Sequence, residues 1–181
     1  MTSEELNALR FPVGTYTIPE KIAKETIREW IGDIEAFPGQ LRSVVQPLSK
    51  EELNLRYRPD GWTIQQVVHH CADSHLNSVP RFKLAITEDR PTIKPYNEAA
   101  WAELWDTTHA PVDLALNLIE ALHARWVYLL RGMGPEEWTR VFIHPEYRRE
   151  YRVDQAIGNY AWHCRHHLAH VHQALALRFE K

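Results

Sequence analysis

An all-α protein is what the sequence predicts: a four-helix bundle with short extra helices and a small hairpin or extended loop before the last helix. Three observations carry that expectation. Four long segments repeat apolar residues at the three-and-four spacing of an amphipathic helix. The pieces between them are short and rich in turn and cap residues. The one stretch with β character, residues 139–152, is too small to found a sheet. At 181 residues, 44% hydrophobic and 25% charged, the chain suits one domain with its own core, so residues 1–181 are read as a single helical bundle domain.

Taken in order, residues 1 to about 18 read as an irregular arm punctuated by Pro12, Gly14 and Pro19. Pro19 suits a first helical position, and Ile22, Ile27, Trp30, Ile31 and Ile34 space the first long helix. Pro38-Gly39 is expected to bend or break it, with Leu41, Val44 and Val45 continuing the pattern. Ser49 ahead of Glu51 and Glu52 caps a short helix ending near Leu55. Thr63 and Gln66 form a capping box, so the second long helix begins at Ile64 and carries His69, His70, Asp73 and His75. Pro80 lacks an N–H and crowds the carbonyl of Leu76, which predicts a kink or break at 77–79. A turn-rich stretch follows, with a short helix around 98–105. Pro111 opens the third long helix, spaced by Leu114, Leu118, Leu122, Trp126 and Leu129 and stopped by Gly132 and Gly134. Asp154 is read as the cap of the last helix, which runs to about Arg178.

Five of the eleven histidines fall within 163–172. His163 and His167 stand four apart, which on a helix stacks their rings on one face within reach of one metal ion. His166 and His170 share that spacing. The stripe through His163 and His167 continues to Ala156, Tyr160, Val171 and Ala174, whereas the other runs to Asn159 and Gln173, which favours the first pair pointing inward. A third ligand must come from elsewhere, and the only other cluster is 69–75. There His75 reads as a core histidine. His70 lies on a polar stripe with Thr63, Gln66, Asp73, Asn77 and Arg81 that pattern alone reads as solvated, and His69 stands level with it as a candidate.

The formal charge of −3 with scattered Lys and Arg gives no face for a nucleic acid and no polybasic membrane anchor. No apolar run approaches the length of a membrane span, and the first residues lack the pattern of a signal peptide, so a cytoplasmic protein is expected. Cys71 and Cys164 read as small packing residues.

The segments Gly61-Trp-Thr-Ile-Gln-Gln-Val-Val-His-His-Cys-Ala-Asp-Ser-His75, Arg81-Phe-Lys-Leu84, Arg90-Pro-Thr-Ile-Lys-Pro-Tyr96 and Trp162-His-Cys-Arg-His-His-Leu-Ala-His170 together resemble the YfiT-like branch of the DinB superfamily. The resemblance spans nearly the whole chain. It implies one divalent metal ion per chain, Zn2+ or Ni2+, held by His70, His163 and His167. It also implies that Thr63, Gln66, Asp73, Asn77 and Arg81 line or support a pocket, that the protein is a homodimer, and that it is a metal-dependent hydrolase of a small molecule. Three neutral imidazoles leave such an ion an open position, which suits activation of a water. Asp73, one turn after His70, is the candidate catalytic residue, as orienter or general base. The alternative is a transferase for a low-molecular-weight thiol of the bacillithiol or mycothiol type. A purely structural ion would need a fourth ligand, from Cys71, Cys164 or His75.

Overall fold

The computed structural model describes residues 1–179. Its frame is four long helices: α2 (Lys24–Val45), α4 (Ile64–Thr87), α7 (Val112–Arg131) and α9 (Val153–Leu177). Each buries a stripe whose apolar members meet in one core around Ile34, Phe37, Phe82, Ile119, Trp126 and Ile157. The order around the bundle is not the order along the chain. α2 and α4 both pack on α7 and on α9 and lie diagonally across from one another. The connection from α2 therefore crosses one end of the bundle instead of turning back to a neighbour, and α4 reaches the side of α9.

Short elements decorate this frame: α1 (Ser3–Arg10), α3 (Lys50–Leu53), α5 (Glu98–Trp101), α6 (Trp105–His109) and α8 (Pro135–Thr139). Strands β1 (Val141–His144) and β2 (Arg149–Arg152) form the hairpin, antiparallel with Phe142 opposite Tyr151. Ile143 bonds in turn to Pro91 and Ile93, which ties the hairpin to the segment before α5.

Several boundaries differ from the sequence reading. The N-terminal arm contains α1, because Thr2 and Glu5 make a reciprocal capping box, with Glu5 N–H 3.1 Å from Thr2 Oγ1 and Thr2 N–H 2.7 Å from Glu5 Oε2. α2 starts five residues after Pro19 and passes unbroken through Pro38, and α4 passes unbroken through Pro80. Pro38 is buried in the packing of α2, whereas Pro80 and Leu76 stand on the exposed face of α4, where the carbonyl left without its N–H can meet water. Residues 98–105 give two helices rather than one, and α8 adds another beyond Gly134. Asp154 is the second residue of α9, not its cap; buried, it pairs with Arg152 and accepts the Gln155 N–H at 2.7 Å. In α7 the Leu114 and Leu118 stripe is the outer edge, 60% and 39% exposed, and the buried face is Leu116, Ile119, His123, Trp126 and Leu130.

α2 and α9 approach closely where α9 has Gly158. A Cβ there would stand 2.5 Å from the Tyr16 hydroxyl and 2.9 Å from two carbons of the Trp30 ring. Gly158→Ala is expected to destabilise the fold by roughly 1–3 kcal/mol through overpacking, read as a lower denaturant midpoint with an unchanged m-value.

Candidate metal centre

α4 and α9 lie side by side, and their facing stripes bring histidines together at mid-bundle. The Thr63–Gln66 capping box fixes the start of α4, with each backbone N–H bonded to the other's side chain at 3.0–3.1 Å. Gln66 Nε2 also donates to the Ala102 carbonyl at 2.9 Å, tethering the end of α5. Two turns along, His70 points across to α9. Its Nε2 lies 3.3 Å from His163 Nε2, and His70, His163 and His167 each offer a ring nitrogen within 4.8 Å of the others. A tetrahedral ion with bonds of about 2.0–2.1 Å to nitrogen separates two of its ligand nitrogens by about 3.3–3.4 Å. The His70–His163 spacing fits one. His69, level with His70 in the sequence reading, is not in this group and lies by the Ala110 backbone.

Burial keeps these rings neutral. It pushes His70 down to about 4, helped by His166, and holds His163 and His167 well below the usual histidine range, helped by their neighbouring imidazoles. Neutral imidazole is the form that binds metal.

Other histidines surround these three. His75 is fully buried, with Nε2 3.0 Å from His163 Nδ1 and Nδ1 2.7 Å from His123 Nε2 on α7. His123 Nδ1 reaches the Ile34 carbonyl on α2 at 2.6 Å. His166 and His170, expected on the wetter stripe of α9, are buried as well, because α1 covers them: Phe11 packs on His166, and His170 Nε2 donates to the Arg10 carbonyl at 3.1 Å. His166, His167 and His170 make a second group with metal-like spacing. It shares His167 with the first, so one ion can use His167 in only one of the two groups, and His170 Nδ1 lies 3.3 Å from His167 Nδ1. His123 escaped the sequence reading, although a lone histidine inside the stripe of Leu116, Ile119, Trp126 and Leu130 was its signal.

His163 is only partly buried because it closes one end of a cavity of about 990 Å3. The wall takes Ser74 and Arg81 from α4, Tyr160 from α9, Tyr96 and Glu98 from the segment leading into α5, and His144 from the hairpin. Asp73 lies outside this wall; burial, and then the Asp106 carboxylate, push its carboxyl up to about 6. Of its polar stripe, Thr63 and Gln66 are buried, Asn77 bonds back to the Asp73 carbonyl, and Arg81 enters the cavity. Cys71 and Cys164 are buried and belong to neither histidine group, and burial raises both thiols.

The sequence matches the family model described as DinB superfamily over residues 33–171. The chain belongs to the DinB superfamily. A Bacillus cereus protein named "Putative metal-dependent hydrolase" is 49% identical over 166 residues, covering 92% of this chain and 95% of the relative. One of the same description from Oceanobacillus iheyensis is 48% identical over 162 residues, with 90% and 93% covered. Among solved structures, Bacillus subtilis YfiT, described as a probable metal-dependent hydrolase with an unusual four-helix bundle topology, superposes with a TM-score of 0.91 at 40% identity, covering 96% of this chain and 99% of its own. A mycothiol-dependent maleylpyruvate isomerase shares the fold at a TM-score of 0.64 and 16% identity, over 80% of this chain and 60% of its own. No helix among the described residues is long and apolar enough to cross a membrane.

The buried histidines make stability depend on pH. His70, His123 and His166 are depressed to about 4 and His170 to about 3, while in the unfolded chain each takes up a proton near 6.5. The unfolded state thus binds more protons below 6.5, and stability present above that pH is lost as it falls toward 4, by about 1.4 kcal/mol per differential proton per pH unit. Asp73, raised to about 6, binds its proton in the folded state and opposes this with a single proton. Metal-free protein is expected to unfold cooperatively with the uptake of several protons between pH 6.5 and 4, measurable by denaturation across that range.

Proposed function

We propose that this chain is a metal-dependent hydrolase of a small molecule, with His70, His163 and His167 holding one divalent ion, Zn2+ or Ni2+, and the adjoining cavity receiving the substrate. The observation that carries the reading is the convergence of three neutral imidazoles, of which His163 borders a cavity, with no fourth protein donor in their group among the described residues. A structural site is normally closed by four protein ligands, and three with an open position is the catalytic pattern. His75, once a candidate fourth ligand, has both nitrogens engaged by other histidines. A bound ion would supply Lewis acidity and an activated water at neutral pH.

The chain's own residues do the rest. Arg81, Ser74 and Tyr160 bring hydrogen-bonding groups to the cavity wall and would hold the polar end of a substrate, while Phe142 and Tyr151 cover its apolar part. Asp73, outside the cavity wall, is assigned the orienting role rather than that of a base in contact with substrate, through its one-turn spacing from His70; its carboxyl, pushed up to about 6, is ionised at neutral pH. A homodimer would cover large apolar side chains such as Trp105 and Leu114, 76% and 60% exposed.

Protein purified without added metal is expected to contain about one divalent ion per chain, lost in His163→Ala and in His70→Ala. Saturating metal at about 100 times its Kd should stabilise the native chain by ~2.7 kcal/mol and the variants by far less. The metal-loaded chain is then expected to hydrolyse members of an ester, amide and lactone panel. Inertness to the whole panel, with turnover only in the presence of a low-molecular-weight thiol, would replace hydrolysis by the thiol-transferase alternative.

A further inference from the structure

We propose that the two α9 ligands are locked in their metal-accepting tautomer by two chains of hydrogen-bonded imidazoles, each anchored on a backbone carbonyl, with His123, His75 and His170 as positioning residues. The first chain begins at Ile34. In an uninterrupted α-helix its carbonyl would accept the N–H of residue 38, but residue 38 is proline and has none. His123 fills that vacancy from α7, its Nδ1 2.6 Å from the Ile34 oxygen. A carbonyl only accepts, so the His123 proton is on Nδ1 and its Nε2 carries the lone pair.

Every later link follows from that one, because a neutral imidazole has one donor and one acceptor. His123 Nε2 must accept from His75 Nδ1 at 2.7 Å. His75 Nε2 is then the acceptor for His163 Nδ1 at 3.0 Å. His163 is left with its lone pair on Nε2, the atom that faces His70. The second chain is shorter. His170 donates from Nε2 to the Arg10 carbonyl at 3.1 Å, so its Nδ1 accepts from His167 Nδ1 at 3.3 Å, and His167 too keeps its lone pair on Nε2.

Histidine free in water favours the opposite form, with the proton on Nε2. Four rings held with the proton on Nδ1 are therefore a signature of the chains and not of histidine itself. The consequence for metal affinity rests on the proposed function above; the tautomers do not. With both lone pairs fixed in advance, neither α9 ligand has to turn over or lose a proton when an ion arrives, and partners of this kind typically contribute about 10–100-fold in affinity.

Long-range 1H–15N correlation spectra of the full metal-stripped chain at neutral pH read each tautomer directly. His75, His123, His163 and His167 are expected with the proton on Nδ1 and His170 with it on Nε2; His163 or His167 protonated on Nε2 would overturn the proposal. That spectrum decides the matter even if a variant does not fold, and it can fail while the three histidines still bind metal, or hold while they bind none. His123→Leu keeps the bulk and removes the anchor. It is expected to turn His75 and then His163 over to the Nε2–H form and to weaken zinc binding about 10–100-fold. His123→Gln can donate its amide to Ile34 and accept from His75, so it should recover most of the affinity. A ring that merely filled the core would give the reverse order, Leu tolerated and Gln damaging, and would sink the idea.

Discussion

The structure depends on a run of hydrogen bonds between histidines whose inner members, His75 and His123, have no access to water. One run of contacts leaves α9 at His163, crosses α4 at His75 and α7 at His123, and ends on the Ile34 carbonyl of α2, so a single line of polar groups touches all four long helices. Neutral bonds of this kind each contribute about 0.5–1.5 kcal/mol net, whereas a buried polar group left without a partner costs about 1–3 kcal/mol. That asymmetry matters more than the sum. His75 and His123, 0% and 1% exposed, are compatible with a core of Phe37, Phe82 and Trp126 only in the one arrangement that pairs them all. The polar line therefore selects the relative setting of the helices, and the apolar residues around it supply the bulk of the stabilisation.

Topology decides which histidines can meet. Because α2 and α4 are diagonal, α4 borders α9, and the 69–75 cluster comes against 163–170 although some ninety residues separate them. The short elements then seal what the bundle leaves open. α1 lies over His166 and His170, and Tyr57 stacks on the His170 ring with centroids 3.8 Å apart. What would be a wet stripe on an isolated α9 becomes an interior surface.

Much of the fold was legible in the sequence because it rests on local signals: the four long helices, the Thr63 capping box and the hairpin between 139 and 152 follow from spacing and cap chemistry. The inward face of His163 and His167 was legible as well, since Tyr160 and Val171 continue their stripe into the core. What failed was anything set by a distant partner. The prolines at 38 and 80 read as breaks because periodicity does not register what takes up the freed carbonyl, which at Pro38 is His123 from α7. The 63–81 stripe read as solvated because its cover, the segment 95–102, is remote in sequence. His70 and His69 were equal by pattern for the same reason, and His123 was hidden because the leucines beside it drew the buried face of α7 to the wrong side. The resemblance to the DinB superfamily supplied what pattern could not, a choice of His70.

The hairpin has a role beyond closing the chain between α8 and α9. Bonded to Pro91 and Ile93 through Ile143, it forms with the 91–99 segment a rim that stands outside the four-helix frame and supplies most of the wall facing His163. Tyr147 at its tip is 64% exposed, and β2 is largely open to solvent. Most side chains on this rim belong to neither histidine group, so the molecule separates a buried histidine cluster from a surface doorway. Changes at the exposed rim positions can then alter what enters the cavity while the core of the four long helices stays as it is.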